Sequence, residues 1–382
     1  MEEWKEYKLG EVLTIKYGKD HKQIADGHIP IYGSGGIMRY GEQSLYEGPS
    51  ILIPRKGSLN NIMYSDKPFW TVDTMFWTII NEDMANPLFV YYSICKKDFA
   101  SLNVGSAVPS LTVPVIEDID IQLPSKETQN RIVTILKSLD DKNEVNRRIN
   151  DNLEQQAQAL FKSWFVDFEP FKDSGFQETE QGMIPKGWEV VSLSAIADYI
   201  NGLAMQKYRP IEGEKGLPVL KIKELGQGNP DDSSELCSPS LIGEKYIIDD
   251  GDIIFSWSGT LMVKVWCGGK CGLNQHLFVV EPKDYPHWFA YQWTKHHLDN
   301  FIHIAKDKAV TMGHIKRGEL DKAKVVVPDG TSMAAIDTMM KPLHRQIISN
   351  KIESRRLASL RDTLLPRLMS GELKVNEIEN AI

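Results

Sequence analysis

The sequence predicts an α+β protein with an internal pseudo-two-fold repeat: two mixed α/β globular domains separated by a pair of long antiparallel coiled-coil helices. Three observations lead there. The stretch Trp4 to Gly18 (WKEYKLGEVLTIKYG) returns as Trp188 to Gly202 (WEVVSLSAIADYING). Ser50 to Leu59 (SILIPRKGSL) is echoed by Asp252 to Leu261 (DIIFSWSGTL). Ile121-Gln-Leu-Pro124 matches Val325-Val-Val-Pro328, and a long helical pattern follows each. A repeat of about 200 residues is a duplicated domain, because solenoid repeats run to about 20–50 residues.

The first domain is expected over residues 1–126. Short strand-like runs at Ile51–Ile53, Phe76–Ile80 and Ile119–Leu123 are punctuated by Gly, Pro, Asn and Asp, with one helical stretch from Pro87 to Leu102. The second domain, residues 171–330, repeats the order with Ile253–Phe255, His276–Val280, a helix from Trp288 to Ala305, and Lys324–Val327. Between and after them lie the helices of residues 127–170 and 331–382. Their seams read Ile132, Leu136, Leu139, Asn143, Asn146, Asn150, Leu153, Ala157, Leu160, Trp164, and Ile336, Met340, Leu343, Ile347, Asn350, Ser354, Leu357, Arg361, Leu364, Leu368. Alternating steps of four and three are the heptad signature. Each helix would be ~60 Å long. Asn146 and Asn350 fall near the two midpoints, where antiparallel pairing would set them opposite one another and fix the register. The aromatic run around Phe161, Trp164 and Phe165 is too rich for a two-helix seam alone. It packs on the following domain, forms a docking surface for partner subunits, or does both.

Composition sets bounds. With 42% hydrophobic and 25% charged residues the chain can bury ordinary cores. It carries no run of about 18 apolar residues and starts with the charged Met-Glu-Glu-Trp-Lys, so neither a membrane span nor a secretory signal is expected, and the location is expected to be cytoplasmic. The four cysteines suit a reducing compartment. Cys267-Gly-Gly-Lys-Cys271, with Cys237 and His276, is looser than a zinc knuckle and reads as thiols flanking a Gly-Gly hairpin turn, so no metal is expected. The formal charge is −8, and no segment is a strongly basic module that would hold DNA alone through phosphate neutralisation. The last segment, 331–382, is the basic one, with eight Lys and Arg against six Asp and Glu.

The order domain, long helix, domain, long helix resembles the specificity (S) subunit of type I restriction-modification systems. The likeness is carried by the two opening motifs, by Gly105 to Leu111 (GSAVPSL), by Ile121–Pro124 leading into Glu127 to Ile132, by Leu153 to Phe165 (LEQQAQALFKSWF), and by Leu357 to Leu373 (LASLRDTLLPRLMSGEL). In the family the first helix opens on Glu-Gln; here Gln129 stands in that place, and Thr331 to Ile336 lacks the pair. The resemblance implies a non-catalytic reader of double-stranded DNA. Each domain would be a target recognition domain for one half of a bipartite site, with the helices setting the gap and docking two methyltransferase (M) subunits. S-adenosylmethionine would belong to the M subunits, and ATP and Mg to added restriction (R) subunits. The rival reading is a tandem-domain scaffold or peptide-binding protein spaced by a coiled coil.

The residues themselves contain no Asn-Pro-Pro-Tyr-type methyltransferase loop and no Gly-x4-Gly-Lys-Ser/Thr phosphate loop. His296, His297 and Asp299 lie on an expected helix and read as structural. No catalytic residue is expected. Base readout needs Arg, Lys, Asn, Gln or Ser on loops or helix ends of a rigid block. In the first domain these are Lys19, Lys22, Arg39, Tyr40, Arg55, Lys56, Ser58 and Ser110, with Pro54 to Ser58 the foremost loop. In the second they are Gln206, Lys207, Tyr208, Arg209, Lys221, Lys223, Ser258, Thr260, Lys306, Lys308, Thr311, Lys316 and Arg317.

Overall fold

The computed structural model describes residues 4–105, 108–307 and 313–379. The chain forms two compact units, one of residues 1–141 with 358–382, the other of residues 142–357. Each unit thus contains one globular block and a portion of both long helices.

In the first unit, strands Leu13–Tyr17, Met75–Ile80, Ser50–Pro54 and Met63–Ser65 lie side by side in that order as an antiparallel sheet. Its strands are rich in β-branched and aromatic residues, as a half-covered pleated surface requires. A second sheet holds the hairpin Asp26–Gly33 and Gly36–Gly41, with Trp70–Thr71 running parallel to its first strand. Lys5–Lys8 pairs with Asp120–Leu123, so the opening motif closes against the strand that leads into the helix.

The second unit has the same plan. Ala197–Asn201, Leu277–Pro282, Ile253–Ser256 and Met262–Val265 form the equivalent antiparallel sheet in the same order, and Glu189–Ser192 pairs with Lys324–Val327. The second sheet again has a parallel contact, Leu217–Leu220 with Cys271–Leu273. The strands on either side of Gly268-Gly269 belong to different sheets, so this turn is a crossover and not the expected hairpin. Cys237, Cys267 and Cys271 are buried free thiols, and burial pushes Cys267 up to about 11 and Cys271 to about 12.

One glycine pair explains why the opening motif recurs. Gly18 donates its N–H to Met75 and Gly202 to Leu277, at 2.9 and 3.0 Å. A Cβ on Gly18 would run into the carbonyl oxygen of Val72, and one on Gly202 into those of Leu273 and Asn274. Both positions need a residue with no side chain.

The long helices run Lys126–Phe165 and Gly330–Met369. Every seam position named above is buried or half-buried. In the first unit, Ile132 and Leu136 share a core with Leu365 and Leu368, and Arg361 meets Asp140 at 2.7 Å. In the second, Glu154 meets Lys351 at 2.8 Å, and Ile336 and Met340 share a core with Ala157 and Phe161. In both units a residue early in one helix meets one late in the other, the antiparallel sense.

Two expectations about the helices need correction. Asn146 and Asn350 do not face each other. Asn350 donates to Asn150 Oδ1 at 2.9 Å, while Asn146 donates to Glu353 at 2.7 Å and to Ser354 at 3.4 Å. The heptad names the contact face but not the axial stagger, which here falls one helical turn away. Phe161, Trp164 and Phe165 are no docking surface: they are buried against Trp188, Trp288, Phe289 and Trp293. The Phe161 and Phe165 rings stack at 5.0 Å, and Phe165 meets Phe289 edge-on at 5.6 Å. They pack on the domain that follows them, as the other reading had it.

Gln129 shows why a polar residue opens the first helix. It is buried, accepts from the Asn86 N–H at 2.8 Å, and donates to the carbonyls of Pro124 and Met84 at 3.0 and 3.3 Å. It ties three chain segments together with its hydrogen-bonding capacity satisfied.

Candidate nucleic-acid interface

The foremost loop is built the same way twice. In the first unit Arg55 to Ser58 leaves strand Ser50–Pro54 and lies beside residues 109–111. Lys56 and Ser110 form a β-bridge, Gly57 donates to Pro109 at 3.3 Å, and Leu111 donates to Arg55 at 2.9 Å. In the second unit Ser258 bridges His314, Gly259 donates to Gly313 at 3.0 Å, and Ile315 donates to Trp257 at 3.1 Å. Gly57 and Gly259 both have positive φ, 90° and 65°, which favours glycine at the turn. One backbone frame therefore presents Arg-Lys-Gly-Ser in one unit and Trp-Ser-Gly-Thr in the other.

Around the first loop the structure gathers several expected residues. Arg55, Lys56, Ser58 and Ser110 share the bridged pair of segments, and Lys56 and Ser58 are exposed. The Arg55 guanidinium lies 5.4 Å above the Tyr17 ring, which brings the turn carrying Lys19 alongside. Asn61 donates to the Ser34 carbonyl at 2.8 Å and holds the hairpin tip beside Gly57. Lys19, Lys22 and Tyr40 are exposed. Arg39 is removed from the set. Its guanidinium donates to the carbonyls of His21 and Ile24, both at 2.7 Å, and to Asp26 at 2.9 Å, so it pins the 21–26 segment.

In the second unit the expected residues divide. Thr260 and Lys316 are exposed near the bridged segments, and Lys306 is exposed on helix Leu298–Asp307. Ser258 is buried with its Oγ 3.0 Å from His276 Nδ1, so it holds a histidine and does not itself face solvent. Arg317 donates to the Tyr199 carbonyl at 2.7 Å and covers Phe278, which is a structural use. Arg209 and Lys221 both pair with Glu235, and Lys223 pairs with Asp231 at 2.9 Å. The Glu235 carboxyl is held below its ordinary range, first by the Lys221 hydrogen bond, and Asp231 by the Ser233 hydroxyl and then Lys223. These three cations are locally neutralised. Gln206 and Lys207 are exposed on the turn Met205–Lys207, and Tyr208 is half-buried. Lys308 and Thr311 lie outside the described residues.

Sequence reasoning missed Tyr17, Asn201, Trp257, His276 and His314. Trp257 donates to Asn201 Oδ1 at 3.0 Å, and its ring stacks with Phe278 at 5.7 Å. His276 and His314 flank it at 6.3 and 6.2 Å. A signal was available: Tyr17 and Asn201 immediately precede the paired glycines. The arrangement offers hydrogen-bond donors and aromatic faces on fixed loops. Among the described residues no group of three or more His, Cys, Asp or Glu is placed to hold a metal, and no helix is long and apolar enough to cross a membrane.

The family model described as type I restriction modification DNA specificity domain matches residues 1–155 and 185–355. The chain is 28% identical over 343 residues to the type I restriction enzyme MjaIX specificity subunit of Methanocaldococcus jannaschii, covering 86% of this chain and 78% of that protein. It is 21% identical to the HindI specificity subunit of Haemophilus influenzae, covering 98% and 100%. The crystal structure of the type I restriction-modification system S subunit from M. genitalium has a similar fold, with a TM-score of 0.60 at 15% identity over 96% of both chains. The specificity-subunit reading thus holds over the tandem scaffold, and the chain, matched twice along its length by one domain model, belongs to the family of type I restriction modification DNA specificity domains.

Proposed function

We propose that each unit reads one half of a bipartite, asymmetric site on double-stranded DNA, and that the paired helices set the gap between halves and carry two methyltransferase (M) subunits. The observation that carries this reading is the doubled loop frame: equal backbones at Arg55–Ser58 and Trp257–Thr260 with different side chains suit two half-sites of different sequence. The net charge of −8 supports a need for phosphate contacts from partners. The chain supplies selection and the partners supply chemistry. The M subunits would bind S-adenosylmethionine and methylate adenine, and restriction (R) subunits would add ATP- and Mg-dependent cleavage. The assembly would work in the cytoplasm.

The test is co-expression with a methyltransferase subunit of the same type of system, followed by affinity purification and long-read methylation profiling of the host. A stable complex of one chain with two M subunits, and methylation of one motif with two short specified parts and a constant unspecified gap, is the expected result. Methylation without sequence preference, or no bound M subunit, would refute the proposal.

A further inference from the structure

We propose that Arg55 is a base-reading residue of the first unit, offering its guanidinium to O6 and N7 of one guanine, and that the second unit reads no guanine at the equivalent place, where Trp257 stands. The inference rests on the DNA-binding proposal above and sharpens it to one position and one base.

Arg55 is held without being neutralised. Its backbone is fixed on both sides, by its own N–H to Thr74 at 2.8 Å and by the Leu111 N–H to its carbonyl at 2.9 Å. Arg55 is half-buried, and its guanidinium lies over Tyr17, a residue itself 55% exposed, in a cation–π contact that orients the fork. Among the described residues that fork makes a single hydrogen bond, from Nη1 to the Asp73 carbonyl, long at 3.3 Å. No acidic side chain among the described residues pairs with it. The contrast with Arg39, whose donors are taken by two carbonyls and Asp26, and with Arg209, paired to Glu235, shows what an arginine with only a structural use looks like in this same chain.

A positioned guanidinium with free parallel N–H groups matches the two acceptors of guanine in the major groove, the commonest specific protein–DNA contact. Gly57, two residues on, adds no side chain that would keep the loop from a base-pair edge. Arg55 and Trp257 hold the same place in the two bridged frames, each next to the residue that precedes a paired glycine: Arg55 by Tyr17, Trp257 by Asn201. Trp257 has a single N–H, engaged by Asn201, so it cannot make the two-pronged contact.

The experiment uses the chain reconstituted with its methyltransferase subunits. The probes are duplexes of the methylated target in which each guanine is replaced in turn by 7-deazaguanine, which lacks the N7 acceptor. For the unaltered complex, loss of N7 at one guanine in one half-site is expected to weaken binding about tenfold or more. Arg55→Gln is expected to weaken binding to the natural duplex by about ten- to a hundredfold, to abolish the 7-deaza penalty at that guanine alone, and to keep the salt dependence. Tyr17→Leu should weaken the same position and no other. Uniform weakening across all duplexes with a shallower salt slope would make Arg55 a phosphate contact and overturn the inference. So would a 7-deaza penalty that survives Arg55→Gln, or one that no guanine shows. A complex without sequence preference in either half would instead sink the DNA-reading proposal itself.

Discussion

Asn150 and Asn350 form a buried amide pair, 7% and 5% exposed, and replacing one of them should cost more than replacing both. Asn350 Nδ2 donates to Asn150 Oδ1 at 2.9 Å, Gln346 donates to Asn350 Oδ1 at 2.7 Å, and Asn150 donates to the Ile347 carbonyl at 3.2 Å. Asn350→Leu leaves the buried Asn150 Oδ1 without its donor, while the exposed Gln346 amide turns to water. A buried polar group stripped of its partner costs about 1–3 kcal/mol. For a unit the size of residues 142–357, each kcal/mol lowers the melting midpoint by about 2–4 °C, so a loss of about 2 kcal/mol reads as roughly 4–8 °C. The double variant Asn150→Leu with Asn350→Leu restores an apolar seam at this level and should recover most of that loss. The assay is urea unfolding of both singles and the double, taken as a double-mutant cycle. A coupling of about 1–3 kcal/mol is expected. If the two single losses add to within about 0.5 kcal/mol, the amides act independently and the pairing has no bearing on register.

Phe165→Ala, at a residue 2% exposed among five other aromatics, should destabilise the second unit by about 3–5 kcal/mol in denaturant unfolding; a docking residue would leave the midpoint unchanged. Burial, then His287 and Lys351, hold His344 down to about 3 from its ordinary 6.5, and Asp252, Asp337, Lys341 and Arg345 line the same cavity. The unfolded chain takes up the proton that the folded chain refuses, so this stability is complete above pH 6.5 and is lost as pH falls toward 3. At pH 5 His344 alone accounts for about 2 kcal/mol. Urea midpoints at pH 7 and pH 5 should show the drop, and His344→Gln should lessen it, the remainder belonging to His297, which burial holds down to about 4; equal slopes would contradict the assignment. Gly202→Ala forces a Cβ against two backbone carbonyls that cannot rotate away, so its melting midpoint should fall by several degrees, and an unchanged one would mean the strand end adjusts freely.

What the sequence made legible was what local chemistry dictates. The repeated glycines, the strands at Ile51–Ile53 and Ile253–Phe255 and the heptad seams all stand where local pattern put them, because close approach, alternation and helical period leave a trace in residue type. The expected helix from Pro87 to Leu102 divides, since Asp98 caps a fresh turn by accepting from Ala100 and Ser101. The one from Trp288 to Ala305 divides at His297, whose ring donates to the Lys324 carbonyl at 2.9 Å. The axial stagger of the asparagines was not legible, because a heptad shows which positions face the partner but not which of them lie opposite one another. Nor was the difference between Arg39 and Arg55, which lies in the carbonyls and rings that surround two identical side chains.

The most direct test of two separate readers is to graft the first loop onto the second unit. The variant Trp257→Arg, Thr260→Ser places the side chains of Arg55 and Ser58 on the equivalent frame and keeps the buried Ser258 on His276, and its methylation motif is read in a host by long-read sequencing. If the two units read separately, one half of the motif changes while the other half and the gap stay as they were. A change in both halves, or in the gap alone, would contradict it.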